Sequence, residues 1–117
     1  EDIAEIITYL SDRSAANEQL MREMANAAIK MVTDSVDAYV KHDTIMAEKV
    51  IAADDVVDAY FDRVKHQLIE RIAADPTDGE YALDLLMIAK YFERIADHAV
   101  NIAEWVIFSV TGVHKED

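Results

Sequence analysis

The sequence predicts an all-α fold, an antiparallel three-helix bundle. Three observations carry this. Apolar residues recur at steps of three and four over long stretches, the period of a helix with one buried face. With 1 Pro and 2 Gly in 117 residues, the chain lacks the turns that an all-β protein needs roughly every 8 to 12 residues. The main periodic region, residues 17–112, is broken at only two places, so its helices are joined by short links and lie antiparallel to their chain neighbours. A chain of this length suits one domain and can bury roughly two thirds of the surface it exposes when unfolded.

Each element follows from its own pattern. Residues 2–10 carry Ile3, Ile6, Ile7 and Leu10 at helical spacing, and Ser11-Asp12-Arg13-Ser14 interrupts them. The chain opens on Glu1-Asp2-Ile3-Ala4 without an initiating Met, as the inside of a helix would, and is expected to be a fragment of something longer. A long helix is expected over residues 17–41, with Leu20, Met24, Ala25, Ala28, Ile29, Val32, Val36 and Val40 on its apolar face. His42-Asp43 ends it, and Asp43 is placed to cap the next helix. That helix runs to about residue 73, with Met46, Val50, Ala53, Val57, Tyr60, Val64, Leu68 and Ile72 inward. Asp75-Pro76-Thr77-Asp78-Gly79 is the clearest turn, and Thr77 with Glu80 has the form of a capping box.

The last helix is expected from about residue 78 to residue 110. Leu85, Ile88, Phe92, Ile95, Ala99, Ile102 and Val106 form an a/d seam, with Phe92 and Ile95 at its middle and almost fully buried. Gly112 is the stop. Asp2-Ile3-Ala4-Glu5 is echoed by Asn101-Ile102-Ala103-Glu104, three helices and their loops further on. The echo suggests that residues 1–13 end an earlier copy of the unit, that residues 17–112 are a second copy, and that residues 113–117 are a tail.

Charge narrows the function. Acids outnumber bases 24 to 11, for a formal charge of −13. Nucleic acid and acidic membrane surfaces are bound through clustered Lys and Arg, and are set aside. Cations or basic protein patches are the natural partners. Without Cys there are no disulfides, zinc knuckles, iron–sulfur sites or thiol catalysis, and a cytosolic address is permitted. No apolar run approaches the roughly 18 residues of a membrane span, and no basic region precedes an apolar stretch as in a signal peptide.

Carboxylates dominate the chemistry. Glu93, Asp97, Asn101 and Glu104 follow steps of four, four and three, a stripe of oxygen donors on the side of the last helix away from the seam. The middle helix carries Asp54, Asp58 and Asp62 at steps of four, with Asp55 beside them. Like charges four apart repel by a few tenths of a kcal/mol per pair, and a divalent cation turns that repulsion into binding. Oxygen donors suit Mg, Mn, Ca or Fe. A solvated acidic face explains the same spacing, and at this charge the protein must have one. No Glu has a His three residues later, so the di-iron Glu-x-x-His pattern is absent. Neither a Gly-x-Ser-x-Gly nor a Ser-x-x-Lys motif occurs, nor a glycine-rich phosphate loop, and no catalytic site is expected. Met21, Met24 and Met31 read as core filling, while Tyr91 and Trp105 are expected to be partly exposed.

The run Tyr91-Phe92-Glu93-Arg94-Ile95-Ala96-Asp97-His98-Ala99-Val100-Asn101-Ile102-Ala103-Glu104-Trp105, followed by Thr111-Gly112, resembles the last-helix signature of the PhoU family of phosphate-signalling proteins. Val50-Ile51-Ala52-Ala53-Asp54-Asp55-Val56-Val57-Asp58 resembles the family's second helix. Two departures show: Lys90 where the family has Arg, and Ala96 where it has Gly. Ala firms a helix. Lys keeps the charge but loses bidentate pairing.

The resemblance implies two tandem three-helix repeats in the full protein, cytoplasmic and homodimeric. It implies metal ions (Fe, Mn, Mg or Zn) held at acidic motifs that Asp54-x-x-x-Asp58 and Glu93-x-x-x-Asp97 match here; the helical spacing adds Asn101 and Glu104 as further metal or polar-stripe candidates. It also implies negative regulation between the phosphate ABC transporter ATPase and its sensor histidine kinase, without enzymatic activity. Two rival readings stand beside it: a carboxylate metal-binding or storage bundle, and a purely structural helical module.

Overall fold

The computed structural model describes residues 15–112, with side chains from Gln19 onward. Three helices make up this region: α1 (Ala15–Lys41), α2 (Thr44–Ala74) and α3 (Gly79–Thr111), with a 3₁₀ turn at Pro76–Asp78 before α3. They form the expected three-helix bundle, and among the described residues there is no strand. At about 1.5 Å per residue the 33-residue α3 is roughly 50 Å long, close to the 53 Å long dimension of the molecule. The expectations for residues 1–13 and 113–117 lie outside the described residues.

The α1–α2 corner is sharp because its residues terminate one helix and start the next without spare chain. His42 sits at φ 53. Its N–H donates to Tyr39 O, and the Asp43 N–H donates to Ala38 O at 3.0 Å, the paired bonds of a Schellman stop. Asp43 then caps α2, its carboxylate accepting from the Met46 N–H at 3.0 Å. At the other corner the capping box expected at Thr77 and Glu80 does not form. Asp75 caps the 3₁₀ turn instead, accepting from the Thr77 N–H and hydroxyl. The turn delays α3 to Gly79, so Thr77 no longer precedes a helix start. Asp78 pairs with Arg71 Nε at 3.0 Å, which ties the corner back to α2. Gly112 closes α3 at φ 75, its N–H donating to Phe108 O.

The core departs from the expected seams in one consistent way. On α3 the buried row alternates Leu85, Phe92, Ala99 and Val106 with Ala82, Ala89, Ala96 and Ala103. Ile88, Ile95 and Ile102, expected on the seam, are only partly buried, so Ile95 lies at the edge of the core rather than at its middle. Four alanines spaced seven apart let the backbones approach closely, and the helix turns that stripe inward. On α1 the same happens. Met21, Met24, Ala28, Met31, Ser35 and Ala38 are buried, whereas Ile29, Val36 and Val40, placed on the inner face by periodicity, are exposed. Ser35 is tolerated there because its hydroxyl donates to Val32 O at 2.8 Å. On α2 the rows Val50–Val57–Val64 and Ala47–Leu68 are buried.

Candidate functional site

The site lies in the groove between α2 and α3, the more extensive of the bundle's pairings. Its register can be followed along the groove. The Arg71 guanidinium lies over the Tyr81 ring at 4.8 Å, and the Lys90 ammonium over the Phe61 ring at 5.2 Å. Two more matched steps along the antiparallel pair bring Asp58 to Glu93 and Asp54 to Asp97. Asp54 stands on the row Ala47–Asp54–Phe61–Leu68, whose ends are buried, so a carboxylate occupies a half-buried place on a core-facing row. Glu93 is likewise part-buried, its side chain 19 % exposed. Asp58 and Asp97 are open to solvent on one side.

Crowding shows in the titration of the α2 pair. The carboxyl of Asp54 is raised above its ordinary value, chiefly by burial and then by the charges of Asp97, Asp55 and Glu93. Asp58 is pushed up to about 6, again first by loss of water against the helix surface, then by Asp54, by Glu93 and by Asp97. A hydrogen bond to Glu93 adds to this, and it needs a proton held on Asp58. Four carboxylates from two helices therefore act on one another across one groove. Lys90 is the cation that meets them, its Nζ 3.0 Å from Glu93 Oε1.

Asp54, Asp58, Glu93 and Asp97 are brought together. Asn101 is not: it lines a second groove of about 400 Å³ with Val36, Tyr39, Ile102 and Trp105. Glu104 is part-buried and is not among the charges acting on Asp54 or Asp58. Asp62 turns outward, and its carbonyl meets His66 Nδ1 at 2.7 Å. Tyr91 and Trp105 are exposed as expected, at 54 % and 55 %. The apolar groove around Trp105 escaped sequence reasoning, because Val36 had been assigned to the core.

The quartet's donors fit a hard divalent ion in type: all are carboxylate oxygens, in excess of nearby cations. Yet among the described residues no group of three or more His, Cys, Asp or Glu side chains is arranged to hold a metal ion. The groove offers ligands on both walls without closing on a centre.

Comparison with known proteins identifies the family. The sequence model of the PhoU domain matches residues 21–106. The chain is similar to the phosphate-specific transport system accessory protein PhoU homolog 1 of Thermotoga maritima, 32% identical over 118 residues, covering 99% of this chain and 51% of the relative. It is similar to the PhoU homolog of Clostridium acetobutylicum, 32% identical over 114 residues, covering 95% and 51%. The PhoU homolog of Caulobacter vibrioides is 34% identical over 107 residues, covering 92% and 46%. The chain thus spans about half the length of the curated relatives it matches. The helices, the matched residues and these identities together place the chain in the PhoU domain family.

Proposed function

We propose that this chain is a regulatory unit of a phosphate-specific transport system, a negative regulator that contacts the phosphate transporter ATPase and its sensor histidine kinase when phosphate is plentiful. It acts in the cytoplasm, within a longer protein that carries a second repeat and dimerises. Its role is binding rather than catalysis, in keeping with the accessory-protein names of its relatives.

The observation that carries the chemical part is the carboxylate quartet. Asp54 and Asp58 on one wall and Glu93 and Asp97 on the other would hold a divalent or transition metal ion, with Fe, Mn, Mg and Zn as the candidates. A bound ion would supply positive charge that neutralises the repulsion between the walls. The chain's own residues do the rest: α2 and α3 hold the carboxylates in register, and the surrounding acidic surface repels anions and attracts basic protein patches.

The test is genetic and chemical. Deleting the gene in its native host should derepress a phosphate-starvation reporter under phosphate-replete growth. Complementation with a variant carrying Asp54→Ala, Asp58→Ala, Glu93→Ala and Asp97→Ala should fail while that protein still accumulates. A reporter indifferent to the deletion overturns the regulatory reading. Full complementation by the quadruple variant overturns the role of the carboxylates.

A further inference from the structure

We propose that the α1–α3 face of this chain is a self-association surface, on which a second copy docks two-fold symmetrically with its α3 antiparallel to the first. The surface lies across α3 from the carboxylate groove, and the inference stands independently of any ligand there.

Val36, Tyr39, Ile102 and Trp105 line the groove of about 400 Å³ on this face. Ile29 stands about two turns before Val36 on the same row of α1, and Tyr91 about four turns before Trp105 on the same row of α3. Ile29, Val36, Tyr39, Tyr91 and Trp105 are each 47–57 % exposed. The Trp105 and Phe108 rings pack at 5.6 Å, which props the indole on the outer surface. With the half-buried Ile95 and Ile102, these side chains leave roughly 600–700 Å² per copy in water, against about 800 Å² per partner in a standard interface. Charge selects the occupant. The sequence has 24 acids, yet none falls on the α1 rows of this side (positions 22, 29, 36 and 25, 32, 39) or on the α3 rows (91, 98, 105 and 88, 95, 102). Glu93 and Asp97 turn to α2 instead. Two chains of charge −13 repel, and on this side they can meet with their carboxylates turned away.

The outward positions of α3 supply the register. Tyr91, Arg94, His98, Asn101, Trp105 and Phe108 alternate steps of three and four, a second a/d seam beside the buried one. All are exposed except the half-buried Phe108. Antiparallel pairing sets each a position against a d position of the other helix. One register places Arg94 over the second copy's Trp105 ring, His98 against its Asn101, and Tyr91 against its Phe108. These are a cation on an indole, an imidazole with an amide, and two aromatic rings. The two-fold repeats each pair, and Ile95 meets the second copy's Ile102 on the flank toward α1. Sliding by one heptad sets Arg94 against His98, two basic groups, and Tyr91 against Asn101. Sliding the other way runs Tyr91 past the end of α3. The first register is therefore favoured over its neighbours.

The experiment is sedimentation velocity of the 117-residue chain, with the emission of its single Trp followed over the same concentrations. The chain should dimerise with a Kd of about 10 µM, and the indole emission should move to the blue as dimer forms. Raising salt from about 50 to about 500 mM should tighten association about two- to five-fold, because it screens the repulsion between acidic chains. Trp105→Glu and Arg94→Glu should each weaken it by about ten-fold or more. Arg94→Glu, at an exposed position, carries the test should Trp105→Glu fail to fold. Val56→Glu adds a charge at a comparably exposed apolar position on α2 and should change association by less than about two-fold. The chain has no Cys, so a disulfide between a His98→Cys copy and an Asn101→Cys copy reports the register, and it should form faster than one between two Met87→Cys copies. A chain that remains monomeric at about 500 µM in high salt overturns the proposal. So does a dimer that Val56→Glu weakens as much as Trp105→Glu and Arg94→Glu do, or one in which the Met87→Cys pair cross-links faster.

Discussion

Replacing Asp58 by Asn should stabilise the metal-free protein at neutral pH and leave it unchanged in acid. Asp58 titrates at about 6 in the folded chain, against 3.8 for an unperturbed aspartate side chain. A folded-state pKa raised above the unfolded value means that the native chain holds a proton the unfolded chain releases. Stability is therefore highest below the unfolded value and falls as pH rises from about 4 to 6. Taken at face value, two units correspond to about 3 kcal/mol at 1.36 kcal/mol per unit. Asp58 is open to solvent on one side, so water and counter-ions screen most of this, and roughly 1 kcal/mol remains. Asn keeps the shape and cannot ionise. Asp58→Asn should match wild type at pH 3.5 and exceed it by about 1 kcal/mol at pH 7.5, a rise in Tm of roughly 3–6 °C. The assay is urea unfolding of metal-stripped protein at both pH values, with m-values compared to confirm a common unfolded state. On the cation-binding reading proposed above, added Mn²⁺ should reverse the order, because the variant lacks one of the four carboxylates. A variant no more stable than wild type at pH 7.5, or equally stabilised at both pH values, would refute the claim that burial and the neighbouring carboxylates penalise the Asp58 charge in this groove.

Three further outcomes follow from the packing. Phe92→Ala should cost about 3–5 kcal/mol in chemical denaturation, whereas Ile95→Ala, at a half-exposed position, should cost clearly less; equal losses would restore the a/d seam. Ala96→Leu should destabilise by about 1–3 kcal/mol, since the fully buried stripe leaves no room for three more carbons, and a neutral result would mean that the bundle is not close-packed around Ala96. Asp43→Ala should cost about 1 kcal/mol by leaving the Met46 N–H without its cap, measurable as a lowered urea midpoint at unchanged m-value.

The helices and their ends were legible because they rest on local chemistry. Asp43 caps α2, and Gly112 stops α3 at positive φ, whatever the rest of the chain does. The acidic spacings were equally plain, because residues four apart share a helix face in any helix. The miss at Thr77 was also local: Asp75 offers a carboxylate two residues ahead of the Thr77 N–H and captures it before a capping box can form. That competition between neighbouring cap residues is decided by the geometry of the 3₁₀ turn.

What the sequence could not decide was rotation about each helix axis. Ile29, Val36, Val40 and Ile95 satisfy a helical apolar period as well as Met31, Ser35, Ala38 and Ala96 do, and hydrophobicity alone favours the larger side chains. The bundle chose the smaller ones, because alanine and serine rows allow the helices to come close while the methionines and Phe92 fill the space between them. The same rotation places Val36 and Trp105 in an outer groove and separates Asn101 from the carboxylates with which its spacing had grouped it. The sequence by itself determined an all-α acidic protein with two carboxylate pairs at helical spacing, since composition and period are properties of single segments. Only the tertiary structure decided that these pairs face each other, because the antiparallel register of α2 against α3 is set by packing along the whole length of both helices.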